Sequence, residues 1–545
     1  MRSWRVIGLL AVLMLLLLII GCGPAAEPET DPEEPAEEEP TDVETEVGGE
    51  LIIARPSDAI SLDSMLDTTA VGAWVYVNML EPLIKLNHDM EIEGVLAEDW
   101  EMVDETTARF YLREDVTFHD GEPFNADAVV FNFERFLESD PPARWKPLAG
   151  PLVGAEKVDE YTVDVSTAEP YGPVLRALAM PFVHMVSPKA AEEMGDDFGR
   201  SPVGTGPFKF VEWRTDDRIV IEKNEDYWGE PAKLDRVVFR VMPEESARML
   251  ALRSGDVDMV LKPAPAEIDD LRANPDFNVY QETGLRVIYL LFGTQEPPAD
   301  DWRVRRAVAH AVNVEAILEH ILEGGATKAT GYIAEDVFGF ADMNLEEKYR
   351  YDPDLAKEML AEAGYTETDS DGFLIKDGER LKFEMLGFRG RFLKDGEIIE
   401  AIQDELRRIG VEVEVEWLEW AAAFDRMRAG DIANCTMTGW VTTNADADYT
   451  LYNLFHSSEW APDGWNRARF SDPEVDDLLD QARRSVDQDE REDLYREIQE
   501  ILTDATVLVP IYTTVETAVT QGDVKGLRMH PVEYNLFLDD VWLDR

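Results

Sequence analysis

Basic residues are scarce in this chain. It carries 51 Lys and Arg against 113 Asp and Glu in 545 residues, a formal net charge of −62 at neutral pH. That argues against nucleic acid as a partner, because binding phosphates takes clustered Lys and Arg. So large an acidic excess repels itself and disfavours compactness unless counter-ions screen it. It reads as a solvated surface suited to high salt. Cysteine is nearly absent too: Cys22 and Cys435 are the only two.

Catalytic and metal-binding signatures are also missing. There is no Gly-x-Ser-x-Gly, no His-Glu-x-x-His and no phosphate loop ending in Gly-Lys-Ser/Thr. The seven histidines, His88, His119, His184, His310, His320, His456 and His530, show no metal-ligand spacing. PVGTGPFKF holds Gly204 and Gly206 but lacks the third glycine of a dinucleotide turn, and reads as a tight turn before a strand. TETDSDGFLIKDGE imitates a calcium loop, yet Gly378 falls where the closing bidentate glutamate is required, so a hairpin with Asp-Gly turns is expected. With so many carboxylates, acid pairs arise by chance and identify no hydrolase. No cofactor or metal is expected.

Only one long uncharged apolar run occurs, residues 6–20, behind Arg2 and Arg5. A basic start and an apolar run of this length describe a secretory leader, short for a span of about 20 residues. It ends in IIGCG, which resembles a bacterial lipobox, with Cys22 as the lipid acceptor and Ile19 where leucine is usual. The alternative is a single membrane anchor with Cys22 incidental. Residues 23–47 are rich in Pro and Glu and read as an extended, disordered tether. Once Cys22 is lipidated, no cysteine pair remains, and Cys435 is expected in the core.

The remainder, 45% apolar over the whole chain, is long enough for more than one domain. Residues 107–113 alternate Thr107, Arg109, Tyr111 and Arg113 against Ala108, Phe110 and Leu112, predicting a half-buried strand in an antiparallel meander. A helix capped by Asn125 follows. Residues 382–417 read as strand, loop, helix and strand: KFEML, GFRGRFLKD, then Ile398, Ile402, Leu406 and Ile409 on one stripe ended by Gly410, then VEVEVEW. Ligands of open α/β sheets sit beyond the carboxyl ends of strands. Two loops therefore face one crevice: residues 387–395, and the aromatic, acidic stretch 439–455 that follows the apolar run 432–437. The apolar run 507–512 near the C-terminus suggests a return to the first domain.

Several stretches carry a family resemblance. In order they are GGELIIARPSDAISLDSMLD, GVLAEDWEM, FYLREDVTFHDGEPFNADAVVFNFERF, PVGTGPFKFVEW, NEDYWG, SGDVDM, WRVRRAVAHAVN and YDPDLAKEMLAEAGY. The chain resembles the family 5 extracytoplasmic solute-binding proteins that serve ATP-driven importers of peptides, nickel and related solutes. The resemblance implies an α/β, two-lobed periplasmic-binding-protein-like fold (type II, cluster C) with a hinge and an extra subdomain in lobe I. Lobe I would span 48–284, with the subdomain at about 86–199, and resume at 505–545; lobe II would span 285–504. The implied role is a monomeric, lipid-anchored receptor for a small peptide or peptide-like solute, held to the membrane outside the cytoplasm and handing its cargo to an ABC permease. Nickel chelates, heme and oligosaccharides are alternative cargoes, and a secreted carboxylate-pair hydrolase is the rival from another class.

In peptide binders of the family, the tryptophan after the strand is followed three positions on by an aspartate that grips the peptide's α-amino group. Counting from Trp440, that position is Thr443, which puts an ordinary free-amino-terminus dipeptide in question. Asp446 matches a later acidic position, and either meets a cation or caps a helix. Trp440 is expected against ligand, Arg389 and Arg391 are candidates for a ligand carboxylate, and Tyr76 and Ser61 lie by the first crevice loop of lobe I.

Overall fold

The computed structural model describes residues 48–139, 143 and 145–545. The leader, Cys22 and the tether lie outside the described residues. Among the described residues no helix is long and apolar enough to cross a membrane.

A mixed sheet of eleven strands organises the fold. In spatial order its main path runs Glu412–Trp417, Lys382–Gly387, Cys435–Val441, Phe277–Phe292, Leu508–Gln521, Met259–Leu261, Glu50–Arg55, Arg236–Val241, Arg218–Lys223 and Phe208–Arg214. The short strand Ala326–Lys328 pairs with Leu508–Gln521 off this path. The two longest strands, Phe277–Phe292 and Leu508–Gln521, are antiparallel neighbours at its centre. From residue 284 to residue 292 the first of them is buried continuously. A strand covered on both faces needs an unbroken apolar run, and LRVIYLLF supplies one apart from Arg286.

On one side of this pair lies the unit anticipated from residues 382–417. Lys382–Gly387 and Glu412–Trp417 are parallel, joined by the helix Asp395–Arg408. Ile398, Ile402, Leu406 and Ile409 are buried beneath it, and Gly410 turns the chain at φ +86°. On the other side, Glu50–Arg55 pairs in parallel with Arg236–Val241 and Met259–Leu261.

A second, four-stranded antiparallel sheet holds Ala97–Asp104, Thr107–Leu112, Thr162–Thr167 and Leu152–Asp159. Ala108, Phe110 and Leu112 all point into its core. The helix Ala126–Glu138 packs on it, with Asn125 Oδ1 accepting from the Ala128 N–H at 3.2 Å. The stretch that imitated a calcium loop is a three-stranded meander. Gly372 and Gly378 sit in its turns at positive φ, and the Asp369 carboxylate is taken by the Asp371 and Phe373 N–H groups and by Arg380. Cys435 is buried in the central strand set, and burial pushes its thiol pKa up.

The central pair is irregular at one place. Thr283 faces Val515 and Val287 faces Thr513, so residues 284–286 bulge from the ladder. A bulge re-aims the side chains it carries. Gly284 makes room there, since a Cβ would lie 2.8 Å from Thr514 Oγ1 and force that side chain to shift. The side chain turned out of register is Arg286.

Candidate ligand-binding cleft

Arg286 leans out of the bulge onto Glu533. Its Nη2 donates to Glu533 Oε1 at 2.5 Å and its Nε to Oε2 at 3.3 Å, and each side chain is only 9% exposed. Burial alone favours neutral Glu533, but Arg286, followed by Lys262, outweighs it and holds the carboxyl well below the usual carboxylate range. Burial likewise disfavours charge on Arg286, and Glu533 more than restores it.

This pair forms part of the wall of a cavity of about 220 Å³. Lys262, Gln281 and Glu516 line it from one direction, and Arg391, Phe392 and Tyr512 from another. Its wall thus draws on residues 245–281, on residues 286–393 and on residues 512–533. Glu516 is buried. Its pKa is raised by that burial; Lys262 opposes the rise, the Glu533 charge adds to it, and Arg286 again opposes. Thr514 Oγ1 reaches Glu516 Oε1 at 3.5 Å.

Arg391 presents the other charge. Its backbone N–H donates to Asp395 Oδ2 at 2.8 Å, which ties the loop to the start of the following helix. The residue is exposed, and its guanidinium lies 5.2 Å from the ring centres of both Phe392 and Trp420. Among the described residues no carboxylate lies within 4.0 Å of it. Desolvation by its crowded neighbours, then the nearby Arg286, lowers its pKa. A planar fork with no internal acid to hold is suited to a carboxylate supplied by a ligand.

The other anticipated site residues fall elsewhere. Arg389 turns outward, 52% exposed, pairs with Glu400 at 2.5 Å and stacks on Trp417. Asp446 is fully buried: it caps the helix Ala447–Phe455 by accepting from the Asp448 N–H, and it receives Arg491 Nη2 at 2.7 Å. Its Oδ1 takes both contacts, while Oδ2 is buried without a hydrogen-bond partner among the described residues. Tyr76, the last residue of the helix Ala70–Tyr76, is buried in the core edge-on to His184. Ser61 is buried in a turn, its Oγ accepting from the Asp63 N–H at 3.0 Å. Trp440 is half-buried on the strand Cys435–Val441, opposite Val287 and against Tyr449 and Trp465. Thr443 is buried close by in the loop that follows. Neither Trp440 nor Thr443 belongs to the cavity wall that Arg391 lines.

Residues 91–462 match the family described as bacterial extracellular solute-binding proteins, family 5. The chain belongs to this family. Heme-binding protein A of Haemophilus influenzae is 31% identical over 470 residues, covering 82% of this chain and 83% of that protein. Among solved structures, the ABC transporter-associated periplasmic binding protein DppA from Helicobacter pylori, in complex with the peptide STSA, superimposes with TM-score 0.77 at 31% identity. It covers 92% of this chain and 99% of its own. NikA from Brucella suis, in complex with Fe(III)-EDTA, gives TM-score 0.82 at 26% identity over 91% of this chain and 99% of its own. This family 5 protein therefore has the two-lobed α/β fold of periplasmic binding proteins and the role of a solute binder.

Sequence reasoning missed Arg286, Glu533, Lys262 and Glu516. The one available signal was Arg286 itself, a lone charge inside the buried run 285–292.

Proposed function

We propose that this family 5 protein captures a small peptide or peptide-like solute between two lobes, 48–284 with 505–545 and 285–504, and delivers it to an ABC permease. The observation that carries this reading is the cavity's division of charge. Arg391 is a guanidinium without a protein carboxylate, and Glu516 is a buried acid with no ion pair among the described residues, and both line the one cavity. A zwitterion satisfies both at once, its carboxylate on Arg391 and its ammonium on Glu516. Such charge-assisted contacts contribute about 1.5–3 kcal/mol each. Glu516 thereby takes the part that Thr443 cannot. The peptide held by the Helicobacter pylori relative supports the solute class.

Closure follows from the same placement. A solute touched from both lobes binds the closed form better than the open one and shifts the equilibrium toward it. Lipidation at Cys22 would keep the receptor at the outer face of the membrane, with residues 23–47 as its tether and the body a monomer.

The test is mass spectrometry of the solute that co-purifies, released by denaturation, followed by calorimetric titration with that solute and with dipeptides and tripeptides. A saturable heat with at least one peptide is expected. Release of a non-peptide solute, with no heat from any peptide, would overturn the reading.

A further inference from the structure

From the loop that carries Arg391, a strip of rings runs onto the helix Trp420–Arg428. Phe388 and Phe392 meet Trp420 at centroid distances of 4.9 and 6.0 Å, and Trp420 meets Phe424 at 5.4 Å. At the far end of this strip lies a second arginine, Arg467. Its guanidinium is 5.4 Å from the Phe424 ring centre and 5.3 Å from that of Trp465.

Arg467 is an anomaly in so acidic a protein. It is 7% exposed, its Nε is buried with no hydrogen-bond partner among the described residues, and its one side-chain contact of hydrogen-bonding type is Met427 Sδ at 4.0 Å. It forms no ion pair among the described residues. Burial holds its pKa down to about 10; the Tyr289 hydroxyl works against that, and Arg428 adds to it. Arg428 lies over the same Trp465, 4.3 Å from its ring centre, and likewise forms no ion pair among the described residues. Trp465 packs edge-on to Trp440 at 5.3 Å, and the Trp440 indole N–H is buried without an acceptor.

Around Trp465, then, stand two guanidiniums and the Trp440 indole, and two of the donors there, Arg467 Nε and the Trp440 N–H, are buried without a partner among the described residues. Buried donors left unpaired are costly, and a buried unpaired cation more so. An oxyanion removes that cost at several points together, and a guanidinium set among aromatic faces is arranged to take one bidentately.

From this geometry we propose that Arg467, with Arg428 and the Trp440 indole N–H, forms a receptor for a second carboxylate of the solute, so that the protein prefers acidic peptides. The inference rests on the peptide reading above: Arg391 holds one carboxylate, the half-buried rings of Phe392, Trp420 and Phe424 lie along the body of the solute, and Arg467 holds the acidic side chain.

The experiment compares Ala-Glu with Ala-Gln, which differ by a carboxylate against an amide of the same shape, by calorimetry on the full protein. The wild type is expected to bind Ala-Glu about tenfold more tightly. Arg467→Met, which suits the apolar surroundings, is expected to abolish that ratio, and Arg467→Lys to retain part of it. Equal affinities in the wild type, or a ratio unchanged in Arg467→Met, overturn the inference and leave the peptide reading standing. A separate arm follows tryptophan fluorescence with glutarate, which has no ammonium and no peptide bond. Saturable quenching in the wild type that is lost in Arg467→Met supports the anion corner even where no peptide binds, in which case it is the peptide reading that falls. No quenching together with no peptide binding overturns both.

Discussion

Gly172 donates its backbone N–H to the Arg483 carbonyl at 2.9 Å, across 311 residues of sequence. The approach is close enough that a Cβ on Gly172 would lie 2.0 Å from the Ser485 carbonyl oxygen. Beside it, Tyr171 reaches Asp448 at 3.4 Å, and Arg176 donates to the Ala445 carbonyl at 3.2 Å. Residues 171–176 belong to proposed lobe I, and 445–485 to proposed lobe II. Gly172→Ala is therefore expected to push the two apart without touching the solute. Small-angle scattering should show a larger radius of gyration with solute present, and calorimetry a weaker affinity. A variant with wild-type scattering and affinity would mean that this contact does not govern closure.

Asp446 and Arg491 make a pair with side chains 0% and 1% exposed. Removing one partner of such a pair leaves an uncompensated buried charge, which costs about 3–5 kcal/mol. Arg491 Nη2 also holds the Tyr495 hydroxyl at 3.0 Å, so its position is shared with the helix Gln488–Ala505. Asp446→Ala should lower stability to chemical denaturation by that order, while the folded fraction keeps its affinity for solute. A large loss of affinity at unchanged stability would instead place Asp446 against the ligand.

These two residues show where sequence reading reaches and where it stops. Local periodicity survives folding: Ala108, Phe110 and Leu112 face a core because alternate residues of a strand point the same way. The helix stripe from Ile398 to Ile409 is buried for the analogous helical reason. Pairings between distant segments leave no such trace. Arg286 finds Glu533 across 247 residues, and the bulge that aims it comes from the register of two strands rather than from any turn residue. Asp446 looks the same in sequence whether it caps a helix and holds Arg491 or meets a ligand. Arg389 and Arg391 differ by only two positions, yet one turns outward to Glu400 and the other lines the cavity.

That difference is itself testable. Arg391→Ala should weaken solute affinity roughly tenfold or more, the value of about 1.5–3 kcal/mol for a charge-assisted contact. Arg389→Ala should leave affinity unchanged, because its partner Glu400 is exposed and surface pairs contribute little. Calorimetric titration of the two variants in parallel decides the matter, and equal losses would show that the loop is arranged differently around its cargo.

Glu516 adds a dependence on pH. Its folded pKa is raised, chiefly by burial, so the fold favours the neutral acid. The associated stability is full below the pKa of the unfolded chain and is lost as pH rises through the folded value. A solute ammonium beside it favours the ionised form, so binding expels a proton whenever the free protein still holds one. Affinity for ammonium-bearing solutes should therefore climb as pH rises above the ordinary carboxylate range, then level once Glu516 is ionised unaided. Titrations at one pH in two buffers of different ionisation heat should show proton release. Glu516→Gln should remove both the release and the climb, and the same release in that variant would assign the proton to another group.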